Sequence, residues 1–387
     1  MSSAFRVPRP KLVLLTGNIG RWFTLLWIVT WSFELGTRNC LAAAGKDGFV
    51  FLKDGPGVRQ SGMGDSAVSV ADDVNGAFWN PAGFAEVRSD QASFAYSSEA
   101  LSMTRQSLSF ARPSDFGGWG VSLQRGDSGN IQGYDTGDAK TSNFNVGDES
   151  ASFGLAGRRG LSTSYGATVK YVSQKISDVS ASAYAADLGV LQRLTWNGRP
   201  LPFSAGLAVR NVGSKASFDG EKTSLPQSVD AGMDFHGFSE AVTVAAEVHK
   251  PQDGHSYFSA GGEMWLRGAM AIRAGYDGGT DLGNGFHVGV GFKLKGIQID
   301  YAWTAMGNGF GNVHRFGLLF RFGRPGDQAY EEGCRLSQQG NYPEAILKFE
   351  KALDADPGHI RAIQGLRDAV KRLENETGSA PSKEGAR

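Results

Sequence analysis

The sequence predicts an all-β transmembrane barrel of about fourteen antiparallel strands, preceded by a non-periodic N-terminal segment and followed by a small α-helical module. Three observations predict it. Residues 90–323 alternate with period two. The face opposite the apolar one is Gly, Ala and Ser with isolated charges, which suits a crowded lumen. The links between strands are short on one side and long on the other, as outer-membrane barrels show.

Taken in chain order, the first 44 residues read as an export signal. Arg6, Arg9, Lys11 and Arg21 make a basic stretch, WFTLLWIVTWSF (22–33) an apolar core, and Ala42-Ala43-Ala44 a small-residue cleavage site. The apolar run is too short for a transmembrane helix. Cys40 follows Thr37-Arg38-Asn39 rather than a small uncharged tripeptide, which argues against lipidation. With Cys334 it makes two cysteines, too few for a disulfide framework. Zero net charge and 20% charged residues exclude a basic nucleic-acid surface. The 54 glycines, mixed with aromatics and only 13 prolines, point to tight turns and small inward positions.

Residues 45–89 lack periodicity. In AFWNPAGFAEV (77–87), Pro81 fixes its own φ and pushes Asn80 out of the helical region. Phe78, Trp79 and Phe84 are then expected to pack against glycines of the lumen wall, with Asn80, Pro81 and Gly83 making the turn.

The strands follow. FHVGVGFKLK (286–295), IQIDYAW (297–303), RFGLLFRF (315–322), SYGATVKY (164–171), YAADLGV (184–190), FSAGLAVR (203–210), SVDAGMDF (228–235) and AMAIRAGY (269–276) all alternate. Tyr165, Tyr171, Tyr184, Phe203, Phe235, Tyr276, Phe286, Trp303 and Phe322 lie where an interfacial girdle would sit, in contact with outer-membrane lipid. Short links fall at 113–117, 158–162, 236–240, 267–268 and 295–296, and a longer one on the same side at 195–202. Long links fall at 127–147, 211–227, 277–285 and 304–312. With the N-terminus in the periplasm, the short turns are periplasmic and an even strand count returns the C-terminus there. The expected lumen charges are Lys170, Asp187, Arg210, Asp230, Glu247, Arg273, Lys293, Asp300, Arg315 and Arg321. Their mixed signs favour ion pairs across the lumen over a carboxylate-binding site.

SGMGDSAVSVADDVNGAFWNPAGFAEV (61–87), with its GMG, Asp72-Asp73 and Trp79-Asn80-Pro81-Ala82-Gly83, together with GLAVRNVG (206–213), resembles the long-chain fatty acid transporter (FadL) family of outer-membrane proteins and its PorV/PorQ relatives. The resemblance covers roughly 60–323. It implies a periplasmic hatch, residues 45–89, folded into the barrel, and transport of a hydrophobic small molecule or service in a protein-secretion or envelope assembly.

After 323–326 the pattern turns helical. Residues 329–357 resemble one tetratricopeptide repeat through Ala329, Gly333, Gly340, Tyr342, Ala345, Phe349, Ala352 and Pro357, with Tyr342 and Phe349 filling the seam. Glu332 and Leu336 depart from the repeat. Residues 359–376 make a third helix, and 377–387 a disordered tail. A lone repeat implies docking on the barrel, dimerisation or a periplasmic or secretion-system protein partner. No enzymatic motif, cofactor site or metal-ligand spacing is found among the six histidines; His287 and His314, on adjacent hairpins, show no evident partner in the sequence. The alternative is a secreted soluble β-rich protein that binds through its helices.

Overall fold

The computed structural model describes residues 47–99, 103–114, 116–160, 162–196, 199–238, 241–280, 283–306, 311–323 and 326–378. The expected export signal with Cys40 lies outside the described residues, as does the expected tail 377–387 except for 377–378, which belong to a helix instead. Fourteen antiparallel strands close into one barrel. They are β1 (Asp90–Ser98), β2 (Thr104–Ser114), β3 (Gly117–Asp127), β4 (Val146–Arg159), β5 (Thr163–Ile176), β6 (Val179–Trp196) and β7 (Arg199–Gly213), then β10 (Ser228–Gly237), β11 (Val242–Pro251), β12 (Tyr257–Leu266), β13 (Met270–Asp277), β14 (Gly283–Leu294), β15 (Ile297–Met306) and β16 (Asn312–Phe322). A small separate hairpin, β8 (Ala216–Phe218) and β9 (Glu221–Thr223), sits in the link after β7. Closure runs through β1 and β16, in register from Asp90 opposite Phe322 to Ser98 opposite His314.

The alternation puts the apolar set outside. On β5, Tyr165, Val169 and Tyr171 are exposed while Ser164, Thr168 and Lys170 are buried. On β14, Phe286, Val288, Val290 and Phe292 are exposed while His287, Gly289 and Gly291 are buried. A soluble sandwich would need two stacked sheets with these faces turned together. A single closed sheet with its apolar face outward is the reverse arrangement, the one that suits hydrocarbon. Outward rings pair across strands toward both ends: Phe203–Phe235 at 5.2 Å and Phe110–Trp119 at 5.8 Å near the short turns, Tyr171–Tyr184 at 5.5 Å and Tyr276–Phe286 at 5.4 Å near the long links.

Two expectations about links are corrected. The stretch 195–202 is not a longer loop: β6 runs to Trp196 and β7 starts at Arg199, so only 197–198 lie between them. On the long-link side, β5 and β6 extend past their neighbours and meet across 177–178. Ser177 takes the left-handed conformation that such a tight turn requires (φ 55°). The longest links, 128–145 and 214–227, do fall on the expected side.

β7 carries a bulge opposite Asp187, where the register with β6 shifts. Asn211 has φ 57°, and its backbone N–H donates to Asp187 Oδ1 at 2.7 Å. The bulge turns two consecutive side chains, Arg210 and Asn211, into the lumen.

Beyond β16, helices α2 (Asp327–Gln338), α3 (Tyr342–Ala355) and α4 (Ile360–Gly378) form a small unit. Ala345, Phe349, Ala352, Ala362 and Ala369 are its buried centre. The Phe349 ring fills a notch between Gly333 and Gly365, where an added Cβ would lie 2.8 and 2.6 Å from ring atoms. The expected seam partner, Tyr342, is instead the first residue of α3 and lies outside that cluster; Tyr330 packs on Phe349 at 5.9 Å. Gly340 turns the chain with φ 79° and Pro357 follows the end of α3. His359 accepts from Ala362 N–H through Nδ1 and pairs with Asp327 through Nε2, at 3.0 and 2.9 Å, capping α4. Lys351 Nζ reaches Ser114 O at 3.4 Å, next to a short turn of the barrel.

Val169 is 60% exposed in the middle of the outward face. Val169→Arg is expected to destabilise the barrel by about 2–4 kcal/mol, measured by urea titration of the lipid-folded protein.

Candidate functional site

Residues 47–89 fill the barrel. Their ordered pieces are short: a 3-10 turn at Val50–Lys53, helix α1 (Val58–Gly62), and 3-10 turns at Gly76–Phe78 and Pro81–Ala85. Such pieces leave many backbone groups unpaired, and side chains satisfy them. Glu247 on β11 accepts from Val68 and Ser69 N–H at 2.6 and 3.2 Å; Gln91 on β1 accepts from Val74 N–H at 3.0 Å. Within the segment, Asp73 accepts from Asn75 and Gly76 N–H at 2.9 and 2.8 Å.

The wall admits the segment because its inward positions are small. An added Cβ on Gly206 would meet Val68 O at 2.3 Å, and one on Gly261 would meet Met63 O at 1.9 Å. Asn80 and Pro81 lie on Gly189 and Gly166 in the same way. Asn80 is extended (φ −144°), caps the following turn by accepting from Ala82 N–H at 3.1 Å, and donates to Val68 O and Val190 O. Gly83 backs onto Ala71, inside the segment.

Of the three rings expected against wall glycines, only Phe84 lies there, its edges over Gly120 and Gly154. Trp79 is buried but rests on Gly55 of its own segment, with the Arg210 guanidinium 4.7 Å from its ring. Phe78 is half-buried beneath Lys170 at 5.0 Å and Arg210 at 5.9 Å. The physical reason is charge: two cations reach that part of the lumen, and ring faces suit them better than bare backbone does.

Six of the ten expected lumen charges pair with one another, Asp300 with Arg273 among them, and others take neutral partners. Lys170 bridges Asp187 at 2.6 Å, and Arg210 bridges Asp230 at 2.7 Å. Arg273 donates to Glu263 and Asp300, both at 2.7 Å. Arg315 donates to Ser61 Oγ at 2.6 Å, and Arg321 to Gln298 Oε1 at 3.0 Å. Lys293 departs from the group: it is exposed near the short turns, 5.9 Å from the Trp265 ring.

The centre of the largest network is a residue that period-two reasoning could not reach. Arg59, on α1, donates to Glu263 at 2.9 and 3.0 Å, to Asp73 at 3.3 Å and to Asp72. Burial works against its charge, but Asp72, Glu263 and Asp73 outweigh burial and hold its pKa above the usual value. Glu86, at the segment's end, takes Arg158 at 3.4 Å, Arg193, and Ser164 Oγ at 2.6 Å. Burial pushes the Glu86 carboxyl up, but Arg158 and Arg193 prevail and leave it below the usual range.

His287 and His314 do have partners, Thr304 Oγ1 at 3.0 Å and Tyr301 Oη at 2.9 Å. His249 is the more informative histidine. Its Nδ1 lies 2.9 Å from Asp230 Oδ1 and its Nε2 2.8 Å from Ser259 Oγ. That order matches a nucleophile triad, but the surroundings do not. Ser259 is 1% exposed and already receives Ser66 Oγ–H at 3.0 Å, and Asp230 is engaged by Arg210. The backbone donors of Val68 and Ser69 are taken by Glu247. The arrangement docks Ser66 to the wall.

Comparison with known proteins supports the architecture. No family model matches the chain. It is 24% identical over 363 residues to a UPF0164 protein of Treponema pallidum (strain Nichols), covering 85% of this chain and 84% of the other. Among solved structures, the CymD monoaromatic hydrocarbon channel superimposes with a TM-score of 0.50 at 11% identity, covering 69% of this chain and 98% of the channel. A Pseudomonas aeruginosa FadL homologue gives 0.50 at 11%, covering 70% and 99%. The closed fourteen-strand barrel is therefore the fold of FadL-like outer-membrane channels.

Arg59→Met leaves Asp73 buried without its cation and Glu263 with Arg273 alone, a loss of about 3–5 kcal/mol. Faster protease cleavage within 47–89 of the folded protein is the expected readout. Because Glu86 is depressed, its contribution is present above about pH 4.5, the ordinary glutamate value, and fades as the pH falls below it. Acid-accelerated cleavage near residue 86 is expected, and Glu86→Gln should abolish its pH dependence.

Proposed function

We propose that the protein is an outer-membrane channel for a hydrophobic small molecule, with residues 47–89 as a hatch that must shift for passage. One observation carries this reading: a segment outside the barrel's strand ladder occupies the lumen, held there by hydrogen bonds, ion pairs and apolar contacts, with one β-bridge between Asp47 and Ser224. Such contacts can be exchanged for water. A fourteen-strand barrel emptied of its filling leaves a passage that wall side chains alone do not close. The class of cargo follows from the likeness to a monoaromatic hydrocarbon channel, and from Phe78, Val68, Ala67, Trp79 and Ala208 packing together as an apolar patch within the lumen. In this reading the short turns and the helical unit lie in the periplasm and the long links outside.

A second role, as the barrel of a secretion or envelope assembly, is favoured by the helical unit alone. Leu347 and Ile360 are 63% and 66% exposed there, as on a tetratricopeptide-like unit that lacks a stacked neighbour.

The hatch is tested by locking it. An added Cβ at Gly317 would lie 3.1 Å from Val58 Cβ, close to disulfide reach. Val58→Cys with Gly317→Cys, in a background with Cys40 and Cys334 changed to Ser, is expected to block uptake of a small aromatic hydrocarbon when oxidised and restore it on reduction. Uptake indifferent to the oxidised crosslink rules the moving hatch out.

A further inference from the structure

We propose that Asp65, Asp277 and His287 form a divalent-cation site that ties the lumen segment to the wall and takes a first-row ion such as Zn2+ or Mn2+. One candidate ligand atom from each residue lies within 4.8 Å of those of the other two. The three come from distant parts of the chain, so no sequence spacing announces them. Asp277 ends β13 and His287 lies on β14, where it pairs with Gly275. Asp277 is two residues further along the same face, so the two side chains are diagonal neighbours on the wall.

Asp65 is delivered from the segment by a close backbone approach. An added Cβ on Gly275 would meet Met63 C and Gly64 N at 2.2 Å. Gly64, at φ 65°, would place a Cβ 2.5 Å from Tyr276 N. Asp65 itself adopts φ 56°, a conformation that Asp tolerates better than most residues. The fold thus sets one carboxylate against another. Among the described residues, neither Asp65 nor Asp277 forms an ion pair within 4.0 Å; Arg315 donates to Ser61 and acts on Asp65 only at longer range. The two carboxylates repel each other, and a bound cation reverses the sign of that interaction.

His287, 5% exposed, makes the site more than an acidic pair. Thr304 Oγ1 lies 3.0 Å from its Nδ1 and fixes the ring, the kind of supporting bond that metal-ligating imidazoles carry. Two carboxylates and one imidazole suit Zn2+ or Mn2+ better than Ca2+, which prefers oxygen throughout. Asp65 and Asp277 keep partial exposure on the long-link side, so an ion and its remaining water ligands can reach them.

The proposal rests on the segment's place in the lumen but not on its movement. The test uses the untagged full chain, folded in detergent and stripped with EDTA, titrated with Zn2+ and separately with Mn2+ by calorimetry. One ion per chain is expected for at least one of the two metals, with the folded gel band surviving to a higher temperature. Asp65→Asn and His287→Ala should each weaken binding at least tenfold while leaving the folded band in EDTA intact. Absence of micromolar binding of either metal, or binding that survives both substitutions, overturns the site. Since nothing here requires opening, intact binding beside a failed crosslink experiment would remove the moving hatch alone, and the converse would remove the ion alone.

Discussion

Hydrocarbon offers a polypeptide no hydrogen bonds, and the rest of this structure follows from that constraint. A sheet in lipid must pair every edge, which the register between β1 and β16 does. Once the sheet is closed, alternation leaves no freedom: each apolar outward residue fixes a small or polar inward one. The interior of fourteen strands is then too wide for its own side chains to fill, and the lumen must either hold water or be filled from elsewhere. Residues 47–89 fill it.

How they fill it differs from the packing of a soluble core. Contact is made backbone to wall, through glycines such as Gly206 and Gly261, and through apolar clusters, with charge pairs between them. Buried ion pairs add little net stability compared with apolar side chains of equal volume, but removing one partner is costly. They act here chiefly to fix position: Arg59 can satisfy Glu263, Asp72 and Asp73 together in one placement of α1. Apolar clusters, such as Phe49, Phe51 and Leu52 with Val172, Ala183 and Leu225, hold the same segment to the wall, and the charges give it one well-defined place in the lumen.

Much of the barrel was legible because period two is a local property. Val288 and Val290 announce their face without reference to any partner. The resemblance around Asn80-Pro81 likewise located the turn, since proline's constraint acts on its immediate neighbour. What could not be read was everything decided by approach across the lumen. Trp79 was expected on wall glycines, but its surroundings depend on where Arg210 points, and that depends on a bulge invisible to strict alternation. Arg59 sits in a stretch without periodicity and meets Glu263 across 204 residues. His249 gave no signal until β10, β11 and β12 brought Asp230 and Ser259 to either side of it. In the helical unit, Gly333 and Phe349 were marked by the repeat pattern, but Gly365 was not, and which tyrosine would meet Phe349 depended on helix rotation.

The account depends most on which face of β5 meets lipid. Nitroxide labels placed singly at residues 168 and 169, in protein reconstituted into bilayers, test it directly by their collision rates with oxygen and with a water-soluble nickel chelate. The structure predicts a label at 169 that oxygen reaches readily and nickel hardly at all, beside a label at 168 that oxygen reaches poorly. Equal access of nickel to both positions, or oxygen favouring 168, would contradict an apolar exterior and with it the barrel, its filling and the proposed passage.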